Sequence, residues 1–200
     1  MSINTSQVDA LLEMINIGVG RGSSILNTLL KQHITMSVPT IRIIRSGELP
    51  LLNAVKRNGT ISGIKLAFSR DFHGNAQIVF PSSTIPVLIS ALIGEECESA
   101  DIDSLRSATL SEVGNIVLNS VVGTISNLLQ ISLDYSLPAY FESRDTNLHF
   151  NEELRSDSIL ILADTNFSIE KLQIDGNIVL IFAVNSFERL LALLDNHLPG

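Results

Sequence analysis

The sequence predicts an α+β fold in which two copies of a helix–strand–strand–strand–helix unit share one sheet, with two long helices paired on one side of it. Three observations carry this expectation. Hydrophobic residues make up 45% of the 200-residue chain and charged residues 17%, a composition for a well-filled core and against disorder. Stretches with apolar residues at helical spacing alternate with β-branched runs of strand length. The chain also repeats itself. An offset of 99 residues superposes Glu13 on Glu112, Asn16 on Asn115, Leu29 on Leu128, Leu30 on Leu129 and Pro39 on Pro138. An offset of 102 puts Gly74-Asn75 on Gly176-Asn177, Phe80 on Phe182 and Leu88 on Leu190. The expectation is one domain over residues 1–200, with repeat one at about 1–98, repeat two at about 99–200, and a pseudo-twofold axis between them, like an isologous dimer fused into one chain.

In order along the chain, residues 6–31 read as a helix whose buried side is Val8, Leu11, Leu12, Ile15, Val19, Leu26 and Leu29. Ser6-x-x-Asp9 resembles a capping box, which starts the helix at Ser6. Gly18, Gly20 and Gly22 either kink this helix or let another backbone come close. Residues 34–45 alternate around Pro39 and read as a strand, at a sheet edge or a bulge because proline cannot donate to a ladder. A polar connection over 46–59 precedes strands at 60–69 and 74–80. Pro81-Ser-Ser-Thr opens a short helix to about Ile93, which Gly94 ends. Gly94–Ser104 is an acidic linker. The pattern then restarts with a helix over 105–129, a strand over 132–141 interrupted by Pro138, and a polar loop over 142–156. Strands at 158–163 and 173–183 follow, and Asn185-x-x-Glu188 caps a last helix to about Asn196.

Several function classes are excluded. The longest apolar runs are strand-sized and too short to span a bilayer, and the N-terminus has no basic, uninterrupted apolar leader. A net charge of −8 argues against nucleic acid or an anionic membrane as partner. The single Cys97 excludes an internal disulfide and fits a reducing, cytoplasmic setting. His33, His73, His149 and His197 are scattered, with no metal-site spacing among them. No P-loop and no Ser or Cys nucleophile motif is present, so covalent catalysis is not expected.

The candidate site is the duplicated E-x-x-N. Positions i and i+3 of a helix share a face, so Glu13 stands beside Asn16, and Glu112 beside Asn115. Each pair offers a carboxylate and a carboxamide to a common guest. Structural alternatives stand beside this reading. Asp9 has a bland role in the Ser6 cap, and Glu112 one in a Thr109-x-x-Glu box. Pro39 and Pro138 read as architectural. Asparagine is a poor residue in the middle of a helix, so nothing local favours Asn16 or Asn115.

The full pattern, [Asp/Ser]-x3-Glu-x2-Asn-x22-Pro, present as Glu13, Asn16 and Pro39 and again as Glu112, Asn115 and Pro138, resembles the CheC/CheX/FliY family of response-regulator phosphatases. The resemblance implies a CheC-like fold and a substrate: a CheY-like receiver domain carrying an aspartyl phosphate. It implies that Glu and Asn enter the receiver's site, where Asn orients the attacking water and Glu contacts a receiver lysine. Mg²⁺ then belongs to the receiver, and this chain needs no cofactor or metal of its own. A second partner implied is CheD, a receptor deamidase. Two motifs match CheC and FliY better than CheX, and because the chain ends at Gly200, without the extra flagellar-switch domain of FliY members, the CheC pattern is the expected one. The copies differ at the first motif position, which is Asp9 in one and Ala108 in the other. A non-catalytic module that docks a receiver or CheD is the alternative reading.

Overall fold

A computed structural model of the protein describes residues 3–45, 60–93, 102–144, 158–169 and 172–197. Its helices are α1 (Thr5–Leu30), α2 (Ile85–Ile93), α3 (Ile102–Leu128) and α4 (Val184–His197). Its strands are β1 (Ile34–Arg45), β2 (Ile61–Arg70), β3 (Gly74–Pro81), β4 (Leu133–Tyr135), β5 (Ala139–Ser143), β6 (Ser158–Ile169) and β7 (Leu172–Ala183). They form one antiparallel sheet in the order β1-β6-β7-β3-β2-β4, with β5 also on β2. The expected α+β architecture is borne out.

The strand order exchanges the two halves. Each half supplies a hairpin, β2–β3 or β6–β7, and the first strand of each half docks on the other's hairpin: β1 on β6, and β4 and β5 on β2. The hairpins meet at β3–β7, where Gln77 pairs with Val179. These two positions are counterparts under the offset of 102, so the pseudo-twofold passes between them.

Side chains alternate across the pleat. On one face, Ile64, Leu66, Ile78, Phe80, Ile161 and Leu180 join the buried sides of all four helices in one apolar cluster. The opposite face carries a smaller cluster of Ile61, Val79, Leu160, Leu162, Val179 and Ile181. Burial on both faces explains why residues 159–163 of β6 and 178–182 of β7 read as unbroken apolar runs in sequence.

The long helices lie side by side and antiparallel. A Cβ on Gly18 would sit 2.5 Å from Val121 Cα, and one on Gly22 3.3 Å from Val117 Cα. Of the two roles open to these glycines, the close approach holds, since α1 runs unbroken from Thr5 to Leu30. The crossing therefore centres on Gly20 and Asn119, again counterparts, here under the offset of 99. A Cβ on Gly114 would run into the side chain of Ile64, so α3 rests on the sheet at that point.

Four boundaries differ from the sequence reading. The cap of α1 is Asn4, not Ser6: its side chain accepts from Gln7 N at 2.8 Å while Gln7 Oε1 accepts from Asn4 N at 3.0 Å. Asn at the cap and Gln at the third helical position make the same reciprocal box, which outcompetes Ser6. Helix α3 starts at Ile102, so Thr109 lies well inside it and cannot cap Glu112. Helix α4 starts at Val184, so Asn185 is already helical rather than a cap. Strand β6 runs on to Ile169, past the expected 163. The connections placed at 46–59 and beyond Arg144 lie outside the described residues, as do the greater part of the 94–104 linker and Cys97.

Candidate functional site

Helix α1 exposes Asp9 and Glu13 and half-buries Asn16, one stripe pointing away from the core residues Leu11, Ile15 and Val19. Helix α3 repeats the stripe 99 residues on, with Ala108 and Glu112 exposed and Asn115 half-buried beside buried Leu110, Val113 and Val117. Among the described residues neither Glu13 nor Glu112 is held by a hydrogen bond or ion pair. Asp9 falls five places after the cap, outside the capping box, and is solvent-facing. The helices are antiparallel, so the two ridges do not converge. Each glutamate lies ~10 Å along its helix from the crossing, by a rise of about 1.5 Å per residue, on opposite sides of it. The molecule carries two separate ridges.

The two carboxamides are held differently. Asn16 Nδ2 donates to Val38 O at 2.9 Å and to Leu12 O at 3.2 Å, and its Oδ1 accepts from Val38 N at 2.9 Å. Pro39 explains the arrangement. The β1–β6 register shifts between Ser37 and Thr40, a bulge at the proline that cannot donate to the ladder. The N–H and C=O of Val38 turn to the helix, and Asn16 satisfies both, as a peptide group would. This gives physical content to the spacing between Asn16 and Pro39: the asparagine grips the residue before the proline. Nothing local was expected to favour Asn16, and its support is mainly long-range, from Val38 of β1. With both nitrogen protons used, Asn16 offers a guest one remaining acceptor site on Oδ1.

Asn115 has no such grip. The strand over 132–141 breaks into β4 and β5 around residues 136–138, where Leu137 O accepts from Ser136 Oγ at 3.1 Å. Leu137 is 89% exposed, whereas its counterpart Val38 is 3% exposed. Asn115 Oδ1 instead accepts from Asn119 Nδ2 at 2.6 Å, and its own nitrogen has no partner among the described residues. So Pro39 is linked to Asn16 through Val38, while no hydrogen bond joins Asn115 to the residue before Pro138. Two participants escaped the sequence reading. The Val38 backbone is invisible to residue type, though the interval to Asn16 marks it. Asn119 is an amide one turn after Asn115 that falls on Gly20 in the other copy, a break in the repeat that flags it.

No protein-family model matches the chain. The CheY-P phosphatase CheC of Bacillus subtilis is 29% identical over 139 residues, which cover 68% of this chain and 66% of CheC. The flagellar motor switch phosphatase FliY of the same organism is 22% identical over 190 residues, 94% of this chain and 49% of FliY. The chain is homologous to CheC and FliY and fits the CheC/CheX/FliY family. It spans between about half and two thirds of the length of these relatives. Solved structures share the fold. Thermotoga maritima FliY superposes with a TM-score of 0.75 at 17% identity, covering 98% of this chain and 99% of that one. The middle domain of H. pylori FliM gives 0.67 at 14% identity, covering 96% and 99%. CheX from Borrelia burgdorferi, solved as a complex with CheY, BeF3 and Mg²⁺, gives 0.52 at 20% identity, covering 85% and 98%. These solved structures share the fold observed here.

Proposed function

We propose that this protein hydrolyses the aspartyl phosphate of a CheY-like receiver. The observation that carries the reading is the pair of exposed Glu/Asn ridges, in a chain homologous to two proteins named as phosphatases, one of them a CheY-P phosphatase. A ridge enters the receiver's site, with Glu13 or Glu112 meeting a receiver cation and Asn16 or Asn115 accepting a hydrogen bond from the attacking water through Oδ1, while the water's protons stay with the phosphate formed. The water oxygen bonds to phosphorus, the bond from phosphorus to the aspartyl oxygen breaks, and inorganic phosphate and a free carboxylate result. An uncharged amide suits this task, because it orients water without adding negative charge beside a phosphoryl group. The metal that neutralises the phosphoryl oxygens belongs to the receiver on this reading, and the setting is the cytoplasm. Asp9 supports the first ridge, Pro39 shapes its surroundings, and Pro138 belongs to those of the second.

The test is the time course of phosphate loss from phosphorylated receivers with and without this protein. The variant Glu13→Ala, Glu112→Ala, Asn115→Ala removes no hydrogen bond to the backbone and is expected to slow hydrolysis by ~10²-fold or more. Full activity in that variant overturns the assignment of these residues. A second reading, a docking module for a receiver or CheD, draws on the likeness to FliM, a middle domain that was also solved in complex with FliG. It is the outcome if a receiver carrying a beryllofluoride mimic binds while phosphate loss is never accelerated.

A further inference from the structure

We infer that Asn119 is a positioning residue for Asn115, doing for the second ridge what the Val38 backbone does for the first. This rests on the phosphatase reading for its consequence, though not for its geometry. A free carboxamide on a helix surface rotates about its last torsion and presents oxygen and nitrogen interchangeably. A group that must aim one lone pair at a water needs that rotation stopped. In the first copy the Val38 amide and carbonyl stop it, through bonds of 2.9 Å each. In the second copy the strand breaks at 136–138, and Leu137 O is engaged by Ser136 Oγ. Asn119, one helical turn beyond Asn115, instead donates to its Oδ1 at 2.6 Å. The counterpart of Asn119 is Gly20, so the device exists where the backbone grip is missing and is absent where the grip is present.

The two ridges therefore differ chemically. Asn16 has spent both nitrogen protons and offers only an acceptor. Asn115 keeps one acceptor site on Oδ1 and both nitrogen protons, so it can orient the water and also donate to a phosphoryl oxygen. Its polarity is set by Asn119: an oxygen tied back to a donor leaves the nitrogen facing outward.

The experiment uses Asn119→Ala, which removes the partner, and Asn119→Asp, which replaces a donor with a pure acceptor and so draws the Asn115 nitrogen inward. Relaxation of the Asn115 side-chain ¹⁵NH₂ group reads whether the amide is held, independently of any turnover. Phosphate release is followed in a Glu13→Ala background, which disables the first ridge and leaves the Val38 grip intact. Asn119→Ala is expected to loosen the Asn115 amide and to lower kcat about tenfold or more, with KM for the phosphorylated receiver unchanged. Asn119→Asp is expected to keep the amide ordered and lower kcat equally, a result that a purely structural role would not give. An Asn115 amide that is already mobile in the parent, or no looser in Asn119→Ala, overturns the inference, as does complete loss of activity in Glu13→Ala alone. If the amide loosens as expected while the parent releases no phosphate from any receiver, the phosphatase reading fails and the positioning stands.

Discussion

A carboxamide in mid-helix gains nothing from its own turn, yet Asn16 makes three hydrogen bonds, two of them to one residue of β1. Each such bond contributes about 1 kcal/mol, and a stranded backbone group in a buried setting costs about 1–3 kcal/mol. Val38 is buried, so Asn16→Ala strands both its N–H and its C=O. Asn115→Ala removes only a bond to another half-exposed side chain. Asn16→Ala is therefore expected to lower stability by ~2–4 kcal/mol in urea denaturation, and Asn115→Ala by less than about 0.5 kcal/mol. Equal losses would show that the Val38 grip carries no weight in solution. The same asymmetry means that lost activity in Asn16→Ala would mix a chemical effect with a structural one, whereas Asn115→Ala isolates the chemistry.

The contact between α1 and α3 turns on glycine in a position-specific way. Three glycines stand two apart in α1, but only Gly18 and Gly22 face α3. The backbone at Val121 leaves a Cβ at 18 no room, and backbone cannot yield as a flexible side chain can. Gly20 points to solvent, with nothing within 4 Å of its added Cβ. Gly18→Ala is expected to cost ~1–3 kcal/mol by prising the helices apart. Gly20→Ala is expected to stabilise by ~0.5–1 kcal/mol, since alanine loses less backbone entropy than glycine in a helix. Thermal unfolding of the pair separates the effects: the opposite sign at either position would displace the crossing from where the structure puts it.

Strand exchange makes the two halves dependent on each other. Strand β1 pairs with β6, and β2 with β4 and β5, so each half completes the other's sheet. A fragment of residues 1–98 would keep the β2–β3 hairpin but lose the partners of β1 and of the outer edge of β2. A lone hairpin and two helices bury too little apolar surface to offset chain entropy. That fragment is expected not to fold as a monomer, and the full chain to unfold in one cooperative step. A monomeric, cooperatively folded fragment in sedimentation and calorimetry would refute the interlocked account.

Composition, hydrophobic period and the internal repeat were enough to specify an α+β chain of two like halves, their long helices, and a proline-marked strand in each. These properties are local or recur at fixed intervals, so a single chain displays them. The outward placement of Glu13 and Glu112 was equally legible, because helical spacing alone opposes them to Leu11, Ile15, Leu110 and Val113. The cap of α1 was misread for a local reason: Asn4 and Ser6 are both good caps, and the choice falls to Gln7, whose side chain also donates to Asp195 of α4 at 2.8 Å, 188 residues away. Tertiary structure alone decided the remainder. The exchange of first strands, the antiparallel crossing at Gly20 and Asn119, and the different restraints on Asn16 and Asn115 depend on contacts between segments far apart in the chain. The Glu, Asn and Pro of the duplicated motif look the same twice in sequence. They differ in space because the bulge at Pro39 turns a backbone toward α1, while the break before Pro138 leaves α3 to fix its own asparagine.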